Sequence, residues 1–206
     1  MREESSDSSA IVTISIGALK ADTITFIPAL PQRKQAAINF SYNGLFLKIY
    51  LEFEDTFWPT DANYVIHADP QRGHFVHFLS LTQHITGNPN ILLATVTGKW
   101  AMAVYNQDVD ETKSQIMGVL RTLYGRQIPD PISITIPDWK TNPLFMGMYS
   151  SYPPGYMHYW KDLLTNAGRV YFGGEATSMK YNGYVHGAYF SGIDVAIQVI
   201  NSLIDK

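Results

Sequence analysis

The sequence predicts an α+β fold: a mixed, largely antiparallel sheet with helices beside it, followed by a C-terminal strand–loop–helix of α/β type. Three observations carry that reading. Four β-rich segments follow one another between residues 45 and 98, separated by turn clusters at Pro59 to Asp61, Asp69 to Gly73 and Thr86 to Asn90, a spacing that suits an antiparallel meander. "DETKSQIMGVLRTLYG" (110–125) carries helical periodicity. From residue 168, "GRVYFGGEA" reads as a buried strand ending in paired glycines, and a long amphipathic helix follows it.

The remaining elements follow in chain order. "AIVTISIGAL" (10–19) alternates β-branched residues up to Gly17 and predicts a buried strand running into a loop. "FIPALPQRKQAAINF" opens with two prolines and then allows a short helix. The strand-rich run comprises "LFLKIYLEF", "NYVIHA", "HFVHFLSL" and "ILLATVTG". In helix 110–125 Asp110 is the expected N-cap, Ile116, Val119, Leu120 and Leu123 line one face, and Gly125 closes the end. "ISITIPDW" is a further strand, and the paired prolines of "YPPGYMHYW" make that stretch a loop. In the last helix Val185, Ala188, Gly192, Ala196, Val199 and Leu203 share a face, with Tyr189, Ile193, Ile197 and Ile200 beside them.

Composition excludes several function classes. A chain of 206 residues that is 46% hydrophobic and 16% charged buries a real core. Its net charge of −3, with 15 basic residues scattered, leaves no nucleic-acid footprint. Without cysteine there is no disulfide, thiol nucleophile or thiolate metal site. No G-x-S-x-G elbow is present for acyl transfer. No run reaches the roughly 18 apolar residues of a membrane span, and the polar start "MREESSDSS" lacks a signal peptide's apolar core. His67, His74, His77 and His84 cluster in sequence, but His74 and His77 fall on opposite faces of a strand and no carboxylate is arranged beside them. No metal is expected.

"NGYVHG" (182–187) opens the last helix with side chains nearly absent. Small residues let another backbone or a flat ligand come close, and the first turn offers unpaired N–H groups at the positive end of the helix dipole. Strand, glycine turn, acidic residue, glycine loop and helix is one way to hold a dinucleotide cofactor, and a glycine-rich structural cap is the other reading of the same residues. Lys48 in "LFLKIYLEF" alternates with Leu47, Ile49 and Leu51 and shares its face with Phe46, Tyr50 and Glu52. It either stands half-buried at a site or lies on a wet face paired with Glu52, and the residues alone favour the wet face.

These blocks carry a resemblance. "GRVYFGGEATSMKYNGYVHGAYFSGIDVA" is similar to the C-terminal flavin-binding motif of the FAD-dependent amine oxidases, the flavin monoamine oxidase superfamily, and most similar to plant-type polyamine oxidases. "IVTISIGALKADTITFIPALP", "LKIYLEFEDTFWP", "ETKSQIMGVLRTLYG" and "NPLFMGMYSSYPPG" resemble further family landmarks in the family's order. The resemblance implies an oxidoreductase with non-covalent FAD. Its substrate would be an amine or polyamine that gives hydride from its α-carbon to the flavin, with imine hydrolysis and release of hydrogen peroxide from O2. Glu175 would contact the ribityl–pyrophosphate region after the glycine turn at Gly174, and Tyr184 and Val185 would meet the flavin pyrimidine edge. Trp139 would pack on the ring, Lys48 would be the lysine that holds a water, and Tyr149 and Tyr184 would be the facing aromatic pair. Met148 stands where a monoamine-oxidase relative carries a flavin-linked cysteine.

The family's GxGxxG unit is not in this sequence. The expected organisation is therefore a disordered lead-in (1–9), the strand of a partial FAD-binding domain (10–25), a substrate-binding domain (26–140) and a C-terminal FAD-binding segment (141–206), with a missing N-terminal FAD-domain piece as a partner. The alternative is a non-catalytic remnant or binding module of the same fold.

Overall fold

A computed structural model describes residues 8–87 and 89–204; most of the expected lead-in lies outside them. The chain forms two compact units, one contiguous from Leu45 to Asp138, the other built from the residues up to Gly44 and those from Trp139 onward.

The contiguous unit is a five-stranded antiparallel sheet in the order β4-β5-β6-β3-β7, comprising β3 (Phe46–Glu52), β4 (Tyr64–Ile66), β5 (His77–Ser80), β6 (Ile91–Thr97) and β7 (Ser133–Thr135). β4, β5 and β6 are the expected meander, but β3 pairs β6 and β7 instead of β4. Alternation decides which face is dry: Leu47, Ile49 and Leu51 of β3 and Leu92, Ala94 and Val96 of β6 are buried. Two helices cover that face, α3 (Gly98–Asn106) and α4 (Val109–Tyr124), through Ala101, Val104, Ile116, Met117 and Leu120. α4 is capped by Asp108, whose carboxylate accepts from the Glu111 N–H at 2.8 Å. The cap thus lies two residues before the Asp110 expected, and Leu123, expected on the apolar face, is exposed.

The discontinuous unit departs more from expectation. β1 is only Ala10–Val12, and Ile16–Lys20 is a helix, α1, whose Ser15 side chain accepts from the Ala18 N–H. A cap therefore overrides the β-branched pattern, and the long buried strand expected at 10–19 is replaced by a short strand and a helix. β1 pairs in parallel with β9 (Val170–Phe172), Ala10 opposite Val170. A second pair joins β2 (Tyr42–Asn43) to β8 (Ser150–Ser151), antiparallel. Helix α2 (Gln32–Phe40) packs on α5 (Tyr159–Leu164). Lys34 is 1% exposed between them, its Nζ donating to the Leu163 carbonyl at 2.6 Å and lying 3.7 Å from the Phe172 ring centroid. Burial pushes its pKa down to about 8, and the Asp162 charge partly opposes that.

The last helix, α6, spans Val185–Ile204. Its buried residues are Gly187, Ser191 and Val195, and the apolar residues that periodicity groups, Val185, Ile193, Ile197, Ile200 and Leu203 among them, are exposed. Close approach explains the choice. A Cβ at Gly173 would lie 3.2 Å from Val195 Cγ1, so the missing side chain at Gly173 is what lets this helix face lie directly on the glycine turn. At 20 residues α6 is also long and apolar enough, by length and composition, to cross a membrane, which amends the expectation of no such segment. It carries Asp194 and packs one narrow face on β9 and the turn after it, while most of its apolar side chains are exposed.

Candidate functional site

The site begins where β9 ends. Gly174 takes φ +114°, a region that favours glycine, and its N–H donates to Ser191 Oγ at 2.8 Å. Thr177 Oγ1 and Ser191 Oγ lie 2.7 Å apart, and Thr177 Oγ1 also donates to the Gly174 carbonyl. The turn is thereby bolted to the buried side of α6. It runs into a single 3-10 turn, Glu175–Thr177.

Glu175 is the hub of the next layer. Its Oε1 accepts from the Ser150 N–H at 2.9 Å, and its Oε2 accepts from Ser150 Oγ at 2.7 Å and from the Gly183 N–H at 2.6 Å. Ser150 is buried, and its carbonyl accepts from Asn182 Nδ2 at 3.4 Å. Tyr152, beside this layer, donates to the Ala176 carbonyl at 3.3 Å. Burial pushes its hydroxyl pKa up; a hydrogen bond with Ser41 opposes that, and the Glu175 charge adds to it.

Gly183 takes φ +81°, and a Cβ there would lie 3.2 Å from Tyr149 Cδ2. Tyr149 is therefore laid against the loop that ends at Tyr184, and both tyrosines are exposed, 44% and 63%. The Tyr184 N–H donates to the Tyr181 carbonyl, and the Gly187 and Ala188 N–H groups take the Tyr184 carbonyl. Among the described residues the Val185 and His186 N–H groups have no acceptor. Two free donors at the positive end of a 20-residue helix, beside exposed aromatic rings, suit the electron-rich edge of a flat heterocycle such as a flavin. Trp139, 37% exposed, stands edge-on to Phe145 with centroids 5.0 Å apart, and its carbonyl accepts from Gly147.

The structure thus brings Gly174, Glu175, Tyr149, Tyr184 and Val185 into one continuous neighbourhood. Lys48 belongs to the other unit. It is exposed on the open face of β3, directly opposite Thr95 of β6, which in turn faces His77 of β5. Glu52, the partner offered by the wet-face reading, accepts instead from Ser133 Oγ. Ser150 and Ser191 were not singled out in the sequence, because short polar residues carry no spacing signal; Gly183 was, but only as part of the glycine-rich helix start.

A carboxylate does stand between two histidines, where none was expected: Asp69 Oδ2 lies 3.1 Å from His74 Nδ1 and 3.5 Å from His67 Nε2. The Gln71 N–H, then His74, hold the Asp69 carboxyl below the usual carboxylate range. Among the described residues no group of three or more His, Cys, Asp or Glu converges on a metal position.

Comparison with known proteins follows this geometry. The chain is 38% identical over 195 residues to polyamine oxidase 1 of Zea mays, covering 93% of this chain and 39% of that protein. It is 34% identical over 199 residues to lysine-specific histone demethylase 1 homolog 3 of Arabidopsis thaliana, covering 94% of this chain and 12% of that one. The chain therefore spans well under half the length of these relatives. Among solved structures, putrescine oxidase bound to putrescine superposes with a TM-score of 0.80 at 23% identity, covering 94% of this chain and 43% of that one. Cyclohexylamine oxidase from Brevibacterium oxydans IH-35A gives 0.76 at 20% identity, covering 95% and 43%. These likenesses place the chain in the amine oxidase fold. The model of one family, described as flavin containing amine oxidoreductase, matches residues 2–200 and implies FAD as cofactor, and on that extent of match the chain belongs to the flavin-containing amine oxidoreductases.

Proposed function

We propose that this chain is the amine-facing and flavin-edge portion of a polyamine oxidase-type enzyme. The observation that carries the reading is the start of α6: two acceptor-free N–H groups beside exposed Tyr184, with Tyr149 laid against the adjoining Gly183. The relatives named as polyamine oxidases supply the substrate class.

FAD, when bound, supplies the two-electron oxidant. Everything else falls to side chains and backbone. The Val185 N–H region would hold the flavin's pyrimidine edge, and Trp139 would cover its ring. A carboxylate offers about four acceptor sites; three of Glu175's are filled within the chain, leaving one for a ribityl hydroxyl. Tyr149 and Tyr184 would flank the amine, their electron-rich faces favouring its nitrogen and fixing the direction of its α-carbon. Lys48 would orient a water through Nζ for the chemical step.

A second reading, a binding module without catalysis, rests on the 39% share of the maize relative that this chain spans. One experiment separates the two. Peroxide production is measured with putrescine, spermidine, spermine and a methyl-lysine peptide, on the chain alone and on the chain joined to the residues of the maize relative that precede the matched region. Polyamine-dependent peroxide in the joined form supports the proposal. Peptide-dependent turnover moves the substrate class to protein lysines. Silence in both forms supports the binding module.

A further inference from the structure

The family resemblance implies a place for Glu175 at the cofactor, yet three of its roughly four acceptor sites are filled within the chain. All three of its hydrogen bonds go to the immediate chain neighbours of the two aromatic residues: Ser150 follows Tyr149, and Gly183 precedes Tyr184. A charged acceptor on two backbone N–H groups and a buried hydroxyl is a stiff connection, because charge-assisted bonds are roughly twice as strong as neutral ones. Asn182 adds a bond to the Ser150 carbonyl from the same loop. The Tyr149 ring then lies on Gly183, where a Cβ would come within 3.2 Å, so no side chain buffers the two segments. β8 has only two residues, and its ladder runs to β2 and not to the α6 loop.

We propose that Glu175 is the positioning residue of the Tyr149–Tyr184 pair: its carboxylate ties β8 to the loop before α6 and so sets the gap that decides which amines enter. The inference rests on the reading of these tyrosines as the amine clamp. It differs from a cofactor-ligand role in what it predicts. A ribityl ligand governs retention of FAD, whereas a spacer governs the order of two loops whether or not FAD is present. Shortening the arm by one methylene, as in Glu175→Asp, leaves a carboxylate unable to reach Ser150 and Gly183 together, and the gap widens. Sites held by supporting contacts of this kind lose function over displacements of about an ångström.

The test uses amide hydrogen exchange on the chain itself, with no flavin and no amine. In Glu175→Gln one acceptor oxygen becomes a donor facing an N–H, and protection of whichever of the Ser150 and Gly183 amides faces it is expected to fall at least tenfold. The Val195 amide, deep on the buried side of α6, is expected to stay within twofold. The nuclear Overhauser contact between the Tyr149 ring and the Gly183 α-protons should disappear with it. Unchanged protection, or lost protection with the ring contact intact, overturns the proposal. If Val195 loses protection too, the variant has unfolded; Ser150→Ala then removes one bond of the three and should lower Gly183 protection about threefold, and no change there overturns the proposal. In the flavin-loaded enzyme Glu175→Asp should raise KM for slender amines more than tenfold with FAD retained. Loss of FAD with KM unchanged returns Glu175 to the cofactor and also overturns it. The exchange arm stands apart from the amine-oxidase reading, so the two can fail separately.

Discussion

Gly187 and Gly192 lie on the same helix and should respond to the same substitution with opposite signs. At Gly187 a Cβ would stand 2.0 Å from the Tyr181 carbonyl oxygen and 2.8 Å from its carbon. Both are backbone atoms, so no side chain can rotate away, and relief requires the loop before α6 to move by more than an ångström. Overpacking of this kind costs about 1–3 kcal/mol, and a backbone clash belongs at the upper end. Alanine's better helix propensity returns about 1 kcal/mol, leaving Gly187→Ala destabilised by roughly 2 kcal/mol on those two figures. At Gly192 nothing lies within 4 Å of the same atom, so only propensity remains and Gly192→Ala should gain up to about 1 kcal/mol. Urea unfolding of the chain and both variants, followed by far-ultraviolet circular dichroism, measures the pair. A Gly187→Ala variant as stable as the parent, or a clearly destabilised Gly192→Ala, would refute the docking of α6 by its small-residue face.

Further outcomes are expected at named positions. In the flavin-loaded enzyme Lys48→Met should slow flavin reduction or reoxidation more than tenfold with FAD still bound; stopped-flow rates within about twofold of the parent would remove Lys48 from the site. Tyr149→Ala and Tyr184→Ala should each weaken turnover, and a double-mutant cycle should show less than the sum, since two rings on one amine act together; strict additivity would make them independent packing residues. The chain by itself should purify colourless and self-associate through the exposed face of α6, with FAD bound weakly at best; a stoichiometric visible flavin band surviving gel filtration would contradict that. Lys34, with its pKa lowered from 10.5 to about 8, binds fewer protons folded than unfolded between those values, so this residue's contribution to stability rises with pH across that window and is lost as pH falls through about 8. Urea unfolding at several pH values should show the parent gaining on Lys34→Met from about pH 8 upward, and parallel curves would refute the burial argument.

How far the sequence discloses this fold depends on what decides each element. Alternation over Phe46–Glu52 placed the dry face correctly, because one side of that sheet is buried and a one-residue slip would invert it. Strand order was not legible, since the pairing of β3 with β6 is a non-local choice. At Ile16–Lys20 a single capping serine outweighed a β-branched run. In α6 periodicity marked the helix and its apolar stripe, but not the narrow face of Gly187, Ser191 and Val195 that packs on the glycine turn, because that partner surface is set by close approach and not by hydrophobic spacing. The neighbourhood of Tyr149, Glu175 and Tyr184 was legible only through a family's motif. The Ser150 and Gly183 contacts that hold it together were not, because they join Glu175 to segments 25 and 8 residues away through short polar and backbone groups.

The interruption of one unit by the other bears on the order in which the chain folds. A stretch of about ninety residues separates Gly44 from Trp139, and joining the ends of so long a flexible loop costs roughly 4 kcal/mol in its length-dependent part alone. The antiparallel ladder of β3 with β7, Tyr50 opposite Thr135, brings the start and the exit of that stretch to the same side of its own sheet. Once the sheet has formed, the outer segments meet across a connection equivalent to about ten residues, and the same expression falls to roughly 2 kcal/mol. The inserted sheet therefore serves as an assembly jig, and substitutions that delay β3–β7 pairing should slow formation of the glycine-turn unit without touching any of its residues.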